Sequence, residues 1–217
     1  MNYSLVIFDC DGVLVDSEGI HNKVDAEYIT EFGLPMKAEE CRSLFKGKQI
    51  NDIVEYIEQE SGKRIPHSWM FDFGFKVADA FRKELKVIEG VSDVVRTLVD
   101  GGHEICVGSQ GSVEKMHMTL DITDLLGFFE GRIFSSRQVK RGKPFPDLFL
   151  HAAKTLGHAP ERCVVIEDSV TGVKAAKAAG MDVFGYAADE NPGALSGEGA
   201  HVFTDMKELP GLLGLKG

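Results

Sequence analysis

Residues 3–18 read YSLVIFDCDGVLVDSE, and this stretch decides the fold of the chain. The apolar run from Tyr3 to Cys10 is too short for a helix and contains Val and Ile, which predicts a buried strand. The pair Asp11-Gly12 then indicates a turn. The stretch therefore places two carboxylates, those of Asp9 and Asp11, at the end of a strand in the protein interior.

The period of the apolar pattern changes after Ser17. From there to Leu85, apolar residues recur every three or four positions, as they do on one face of a helix. Ser17 and Gly33 are suited to begin and to end the first helix. The segment 17–85 is therefore predicted to be entirely helical. Its apolar stripes are Ile20, Val24, Tyr28 and Phe32; Ile50, Ile53, Val54 and Ile57; and Trp69, Phe73, Val77 and Phe81.

Beyond Gly90, short apolar strands alternate with helical patterns. This alternation is typical of an α/β fold, in which a mainly parallel sheet carries helices on both faces. Residues 1–16 and 86–217 are accordingly predicted to form an α/β core domain, and residues 17–85 an inserted helical cap domain. Segment 189–199, rich in Gly, Pro, Ser and acidic residues, is expected to be a surface loop. The later strands are predicted at 104–108, 132–134, 163–166, 182–186 and 201–203.

The 217 residues carry a formal net charge of −10, which argues against nucleic acid or an anionic membrane as the main partner. The four cysteines are widely spaced without a metal-ligand pattern, so free thiols in a reducing compartment are expected. The sequence shows neither a signal peptide nor an apolar stretch of membrane-spanning length. We therefore expect a cytoplasmic monomer that acts on a small molecule.

Polar side chains follow the predicted strands at their carboxyl ends, where an open parallel sheet binds its ligands. Several carboxylates at one edge would repel one another, and a hard divalent cation with oxygen ligands relieves that repulsion. Magnesium suits a site that also keeps water and a substrate phosphate. The residues are Asp9 and Asp11 after the first strand, Ser109 and Gln110 after the second, Glu167 and Asp168 after the fourth, and Lys143 in a Gly-Lys-Pro turn.

Together, these residue types can support phosphoryl transfer. The carboxylate of Asp9 can attack phosphorus and form an aspartyl-phosphate, while Asp11 can protonate the leaving oxygen. Ser109 and Lys143 can bind the phosphate oxygens. Each of these residues alone is more often an ordinary cap or turn residue. Their joint occurrence at successive strand ends favours a catalytic site.

Residues 9–18, DCDGVLVDSE, resemble the first motif, DxDGxxxDSE, of the haloacid dehalogenase superfamily phosphatases. Ser109 resembles the second motif, Lys143 within GKPFPD the third, and the sequence EDS at 167–169 the fourth. The motifs stand in the family's order and span the core. The resemblance implies a Rossmann-like core and a helical cap of the C1 type that closes over the substrate.

The resemblance also implies a role for each motif residue. Asp9 is expected to be the nucleophile and Asp11 the general acid and base, and this acid argues against cleavage of a carbon–halogen bond. Ser109 and Lys143 are expected to hold the transferring phosphate. The expected ligands of Mg²⁺ are Asp9, the backbone carbonyl of Asp11, and Asp168, with Glu167 as a direct ligand or beside the ion.

The whole chain resembles the branch that contains β-phosphoglucomutase, phosphoglycolate phosphatase and the sugar-phosphate phosphatases. By this resemblance, His21, Lys46 and Lys76 of the cap are candidate substrate contacts, although His21 and Lys76 also suit solvated helix positions. Gln110 is a candidate either for lining the pocket or for hydrogen bonding within its loop. The mutase carries an Arg just beyond the cap loop, where this chain has Ile50.

These observations predict a magnesium-dependent phosphatase of a small sugar or organic-acid phosphate. A phosphomutase with the same aspartyl-phosphate chemistry is the first alternative, and Ile50 in place of the Arg argues against it. A non-catalytic protein that binds a phosphorylated metabolite is the second alternative. Such a protein is expected to lack part of the catalytic set, whereas all five of its members are present here: Asp9, Asp11, Ser109, Lys143 and Asp168.

Overall fold

A computed structural model describes residues 3–45, 50–66, 68–188 and 192–215 of the chain. The chain divides into two compact units. The α/β unit comprises Met1–Asp16 and Lys86–Gly217, and the helical unit comprises Ser17–Leu85.

In chain order the strands are β1 (Leu5–Phe8), β2 (Val15–Asp16), β3 (Lys86–Val87), β4 (Glu104–Ser109), β5 (Ile133–Ser135), β6 (Cys163–Glu167), β7 (Asp182–Tyr186) and β8 (His201–Phe203). Six of them are parallel and form the central sheet of the α/β unit, in the order β5-β4-β1-β6-β7-β8. The middle strand β1 pairs on both sides, with Leu5 opposite Glu104 and opposite Cys163. The predicted parallel sheet is therefore confirmed.

The helical unit has its own apolar core. The residues described there form helices and no strand, as the apolar stripes predict. Ser17 occupies the N-cap position of the first helix, but its side chain makes no capping hydrogen bond. The helices are α1 (Glu18–Glu31), α2 (Ala38–Phe45), α3 (Ile50–Ser61) and α4 (Trp69–Glu84). The buried cluster consists of Ala26, Ile29, Cys41, Phe45, Ile53 and Ile57.

Helices of the α/β unit cover both faces of the sheet. Leu5 and Ile7 share a buried cluster with Phe149. Phe8 points to the opposite face, where its ring centroid lies 6.2 Å from that of Phe129. Among the described residues, no helix is long and apolar enough to cross a membrane. The helices are α5 (Val91–Asp100), α6 (Val113–Ile122), α7 (Leu126–Phe129), α8 (Asp147–Leu156), α9 (Val170–Ala178), α10 (Pro192–Gly197) and α11 (Leu209–Leu212).

The differences between the structure and the sequence prediction include a strand pair and a short helix. The strands β2 and β3 form an antiparallel pair, with Val15 opposite Val87. Strands of two residues show no repeat that a sequence pattern can reveal. The expected surface loop at 189–199 is wrong in its middle, because Pro192–Gly197 form α10. Leu195 of this helix is 1% exposed and joins the core, so burial of one apolar side chain outweighs the loop-forming composition.

The four cysteines are buried and carry free thiols. Burial raises the pKa of Cys41 to about 12 and that of Cys163 to about 11. Both thiols are therefore protonated at neutral pH and behave as apolar packing groups.

One carboxyl oxygen of Asp25, in the helical unit, is buried without a hydrogen-bond partner. This oxygen is Oδ1, and burial raises the pKa of Asp25, which lies in α1, from 3.8 to about 6. Because the folded pKa exceeds the unfolded one, the stability that this group contributes is fully present below about pH 4. It is lost as the pH rises through 6. At pH 7 the ionised carboxylate costs up to about 3 kcal/mol.

We expect Asp25→Asn to raise the free energy of unfolding at pH 7 by about 1–3 kcal/mol, since the amide removes the charge but keeps a polar group. The gain should shrink towards zero at pH 4, where Asp25 is protonated. Urea unfolding of the whole chain at both pH values measures this. Glu55→Gln, at an exposed position of α3, is the matched control. An equal gain at pH 4 and pH 7 would contradict the assignment.

Candidate active site

Three adjacent strands end at the same edge of the sheet, and each brings a polar side chain there. Asp9 directly follows β1, Ser109 ends β4, and Glu167 ends β6. These side chains are 6%, 2% and 0% exposed. The backbone N–H of Asp9 donates to the carbonyl of Ile166 at 2.9 Å, which continues the parallel pairing past the end of β1. Strand order alone therefore brings residues about 60 to 160 positions apart in the sequence to one edge.

Lys143 connects two of these carboxylates. Its Nζ lies 2.5 Å from Oδ1 of Asp9 and 2.5 Å from Oε1 of Glu167, and its side chain is 2% exposed. The aliphatic stem ends near the ring of Phe149, whose centroid is 5.1 Å from Nζ. Burial alone lowers the pKa of Lys143, but attraction to Asp9 and Glu167 outweighs burial and raises it. The lysine is therefore charged.

Glu167 is held by the start of the following helix. Its Oε2 accepts hydrogen bonds from the backbone N–H and from Oγ of Ser169, both at 2.9 Å. Ser169 is also the N-cap of α9 and accepts the N–H of Gly172 at 3.0 Å. Both carboxylate oxygens of Glu167 are thus engaged, one by Lys143 and one by Ser169. Oε1 accepts a hydrogen bond from Lys143 alone, so direct ligation of a metal by Glu167 stays a prediction.

Asp11 forms an ion pair that sequence reasoning did not find. The ammonium of Lys115 lies 2.9 Å from each carboxylate oxygen of Asp11. Lys115 stands in the first turn of α6, and Ser112 caps this helix by accepting the Lys115 N–H at 3.2 Å. The sequence predicts this helix start at Ser112, after the second strand, but not the ion pair. A partner 104 residues away leaves no local signal.

The acidic side chains of the cluster outnumber its lysines, and two of them have raised pKa values. Asp168 lies against the backbone of Gly12, and burial raises its pKa well above the usual range, with Glu167 and Asp9 adding to the effect. Burial also raises the pKa of Asp9 to about 7, against the attraction of Lys143. When ionised, the four carboxylates at 9, 11, 167 and 168 and the two lysines at 115 and 143 sum to −4 + 2 = −2. A divalent cation balances this charge.

The donor set also suits a cation that prefers oxygen ligands. In the described ranges, no group of three His, Cys, Asp or Glu side chains converges on one metal position. The ligand set implied by the resemblance requires only two such side chains, Asp9 and Asp168, together with the backbone carbonyl of Asp11. Carboxylate and carbonyl oxygens with waters and a phosphate are the usual surroundings of Mg²⁺. The residues present therefore fit this ion.

Gln110 follows Ser109, and its side-chain amide bonds to the backbone of Lys143. The N–H of Lys143 donates to Oε1 of Gln110 at 3.2 Å, and Nε2 of Gln110 donates to the carbonyl of Lys143 at 3.3 Å. Of the two roles expected for Gln110, hydrogen bonding within the loops is the one that the geometry displays. Oγ of Ser109 accepts the N–H of Gly111 at 3.3 Å.

Two of the three cap candidates have described contacts within the helical unit. The ring of His21 packs edge-on against Phe81 at 5.0 Å. Lys76 pairs with Glu31 at 2.5 Å and lies over the ring of Tyr28 at 4.3 Å. Lys46 lies outside the described residues. Substrate contact by each of these residues stays a prediction.

Comparison with known proteins places this site in a family. The family model of haloacid dehalogenase-like hydrolases matches residues 6–186. The 6-phosphogluconate phosphatase of Escherichia coli is 32% identical over 98% of this chain and 95% of its own length. A phosphorylated carbohydrates phosphatase of Thermotoga maritima is 28% identical over 96% of this chain and 97% of its own.

A solved structure shows the same likeness. The crystal structure of a haloacid dehalogenase-family hydrolase from Deinococcus radiodurans, with bound phosphate and sodium, is 34% identical and has a TM-score of 0.83. The match covers 98% of this chain and 95% of that one. The chain therefore belongs to the haloacid dehalogenase-like hydrolase family. It is an enzyme of the phosphoric monoester hydrolase class, like its named relatives.

The contact between α9 and Glu167 is testable with one added methyl group. A β-carbon at Gly172 would overlap the carboxylate of Glu167. Gly172→Ala should therefore displace Glu167 from Lys143 and lower the free energy of unfolding by about 1–3 kcal/mol. Without such crowding, Gly→Ala inside a helix stabilises by about 0.5–1 kcal/mol.

Gly74→Ala is the matched control, because Gly74 lies in α4 with no neighbouring atom near a β-carbon. We expect opposite signs for the two variants in urea unfolding. Stabilisation by both would show that the first turn of α9 does not enclose the Glu167 carboxylate.

Proposed function

We propose that the chain hydrolyses a small phosphorylated sugar or sugar acid, with Asp9 as the nucleophile and Mg²⁺ as the metal ion. The observation that carries the proposal is the contact of the buried Lys143 ammonium with both Asp9 and Glu167. Phosphoryl transfer requires a carboxylate that attacks phosphorus and a cation that binds the transferring oxygens. At this edge of the sheet, the carboxylate of Asp9 and the ammonium of Lys143 lie within hydrogen-bond distance of each other.

The reaction proceeds in two displacement steps. An oxygen of Asp9 first bonds to phosphorus while the bond from phosphorus to the sugar oxygen breaks, and Asp11 gives a proton to that oxygen. A water molecule then loses a proton to Asp11 and attacks the aspartyl-phosphate, which releases inorganic phosphate and restores Asp9. Ser109 and Lys143 hold the phosphoryl oxygens in both steps by hydrogen bonding and by charge.

Asp9, Asp168 and the backbone carbonyl of Asp11 would hold Mg²⁺. The bound ion supplies positive charge that stabilises the phosphoryl group as its negative charge redistributes. Glu167 orients Lys143 through Oε1 and is itself held by Ser169 through Oε2, and it lies beside the ion or ligates it directly.

The substrate class is supported by the relatives. The names of the E. coli and T. maritima relatives specify 6-phosphogluconate and phosphorylated carbohydrates as substrates. Both matches extend over almost the whole chain, the helical unit included. The net charge of −10 disfavours large polyanions as substrates. A small phosphorylated sugar or sugar acid fits these observations.

We favour hydrolysis over a mutase reaction, in which the phosphate moves between two positions of one sugar. Such a mutase needs a cation in its cap that grips a second phosphate. The corresponding position here, Ile50, is the first residue of α3 and packs against the apolar cluster of the helical unit. This side chain has no charge and contributes to the core.

Asp9→Asn is expected to lower kcat at least a thousandfold, because an amide oxygen forms no acyl-phosphate. The fold should remain, as judged by circular dichroism. In the unaltered enzyme, acid quenching during turnover followed by mass spectrometry should find a phosphoryl group on the peptide that contains Asp9. Asp121→Asn, at an exposed position of α6, is the control. Retained turnover in Asp9→Asn would contradict the nucleophile assignment.

The substrate class is tested by phosphate release from sugar phosphates, sugar-acid phosphates, phosphoglycolate and nucleotides, with and without Mg²⁺. We expect metal-dependent release from a few sugar or sugar-acid phosphates and little from nucleotides. An isomeric sugar phosphate without free phosphate would identify a mutase. Absence of both release and trapped phosphoryl-enzyme would favour a binding protein.

A further inference from the structure

Gln110 connects the loop after β4 to the loop that carries Lys143. Its side-chain amide makes two hydrogen bonds to the backbone of Lys143, one to each side of the Cα atom of that residue. Two such bonds fix both peptide planes that flank a residue. The direction in which the Lys143 side chain leaves the backbone is set by those planes.

The surroundings of Gln110 are built to hold its amide in this place. A β-carbon at Gly142 would overlap Oε1 of Gln110, so the absence of a side chain at 142 provides the space that the amide occupies. The backbone carbonyl of Gln110 accepts a hydrogen bond from Oγ of Ser136 at 3.0 Å. Oγ of Ser135 donates to the carbonyl of Gly111 at 2.6 Å. The loop that carries Gln110 is therefore anchored to Ser135 and Ser136 at the end of β5.

The geometry points to Gln110 as a positioning residue for Lys143, and this inference rests on the proposed function. A lysine side chain has four rotatable bonds, and its ammonium here must meet Asp9 and Glu167 together in a buried space. A shift of the backbone at Lys143 moves Nζ by a similar amount. A misplacement of about 1 Å at a reacting group costs on the order of a hundredfold in rate.

Removal of the amide should therefore affect phosphate binding and catalysis together. We expect Gln110→Ala to lower kcat/KM by about tenfold to a hundredfold, with contributions from both kcat and KM. Gly142→Ala should have a similar effect, because its methyl group displaces the same amide. Gln59→Ala, an exposed glutamine of α3, is the matched control and should leave kcat/KM unchanged.

The two substitutions form a double-mutant cycle with a specific expectation. Once Gln110 is truncated, the space beside Gly142 is open, so Gly142→Ala should add little to the effect of Gln110→Ala. The double variant should then be about as active as either single variant. Effects that multiply would show that the two residues act separately, and this would overturn the inference. Because Gly142→Ala leaves Gln110 in the sequence, it also provides the test if Gln110→Ala fails to fold.

Chemical labelling provides a readout that does not depend on the reaction. Acetylation of the whole protein by an amine-reactive reagent, followed by mass spectrometry, measures the accessibility of Lys143 relative to Lys154, an exposed lysine of α8. We expect slow labelling of Lys143 in the unaltered protein and labelling at least several times faster in Gln110→Ala and Gly142→Ala. Labelling of Lys154 should be the same in all variants.

The reaction rate and the labelling of Lys143 together distinguish failure of the positioning role from failure of the proposed function. Unchanged labelling of Lys143 would overturn the positioning role, whether or not the rate falls. A fall in rate without a change in labelling would assign Gln110 to direct substrate contact instead. If the unaltered protein releases no phosphate from any substrate, the proposed function fails. Faster labelling of Lys143 in both variants would still support the structural inference in that case.

Discussion

The contact of one buried ammonium with two buried carboxylates is the constraint on which the rest of the α/β unit depends. Charges taken out of water are costly unless each is paired and hydrogen-bonded. Lys143, Asp9 and Glu167 meet this condition only where β1 and β6 lie side by side. The start of α9 supplies the remaining bonds through Ser169. Strand order, helix capping and loop geometry therefore all serve to satisfy one cluster of charges.

The same cluster explains how an acidic protein can bind a phosphate. The chain as a whole carries −10 and repels anions at a distance. Inside the cluster, Lys143 and Lys115 each contact acidic groups, and the remaining excess of negative charge suits a divalent cation. Attraction of the substrate is thus a local property, produced by buried charges in a medium of low dielectric. Selection among phosphorylated compounds requires further contacts beyond these charges.

The acidic residues of the site differ in burial and in their partners, and their roles differ accordingly. Asp9 and Glu167 are both acidic and both contact Lys143, yet only Glu167 has its second oxygen engaged by a helix cap. Asp11 is about one-third exposed and pairs with Lys115 instead. The carboxyl group therefore serves three purposes at one edge: orientation of a lysine by Glu167, proposed attack on phosphorus by Asp9, and proposed transfer of a proton by Asp11. The environment of each carboxylate decides which purpose it serves.

Local sequence by itself determined the elements and the residues at their ends. Apolar periodicity predicted the sheet strands and the longer helices, but not β2, β3 or α10. Strand ends predicted Asp9, Ser109 and Glu167 as neighbours, because residues that end parallel strands share an edge. Only the tertiary structure decided that Lys115 pairs with Asp11 and that Gln110 holds the backbone of Lys143. These contacts join residues 33 to 104 positions apart, and their geometry follows from strand order and loop paths, which no local pattern encodes.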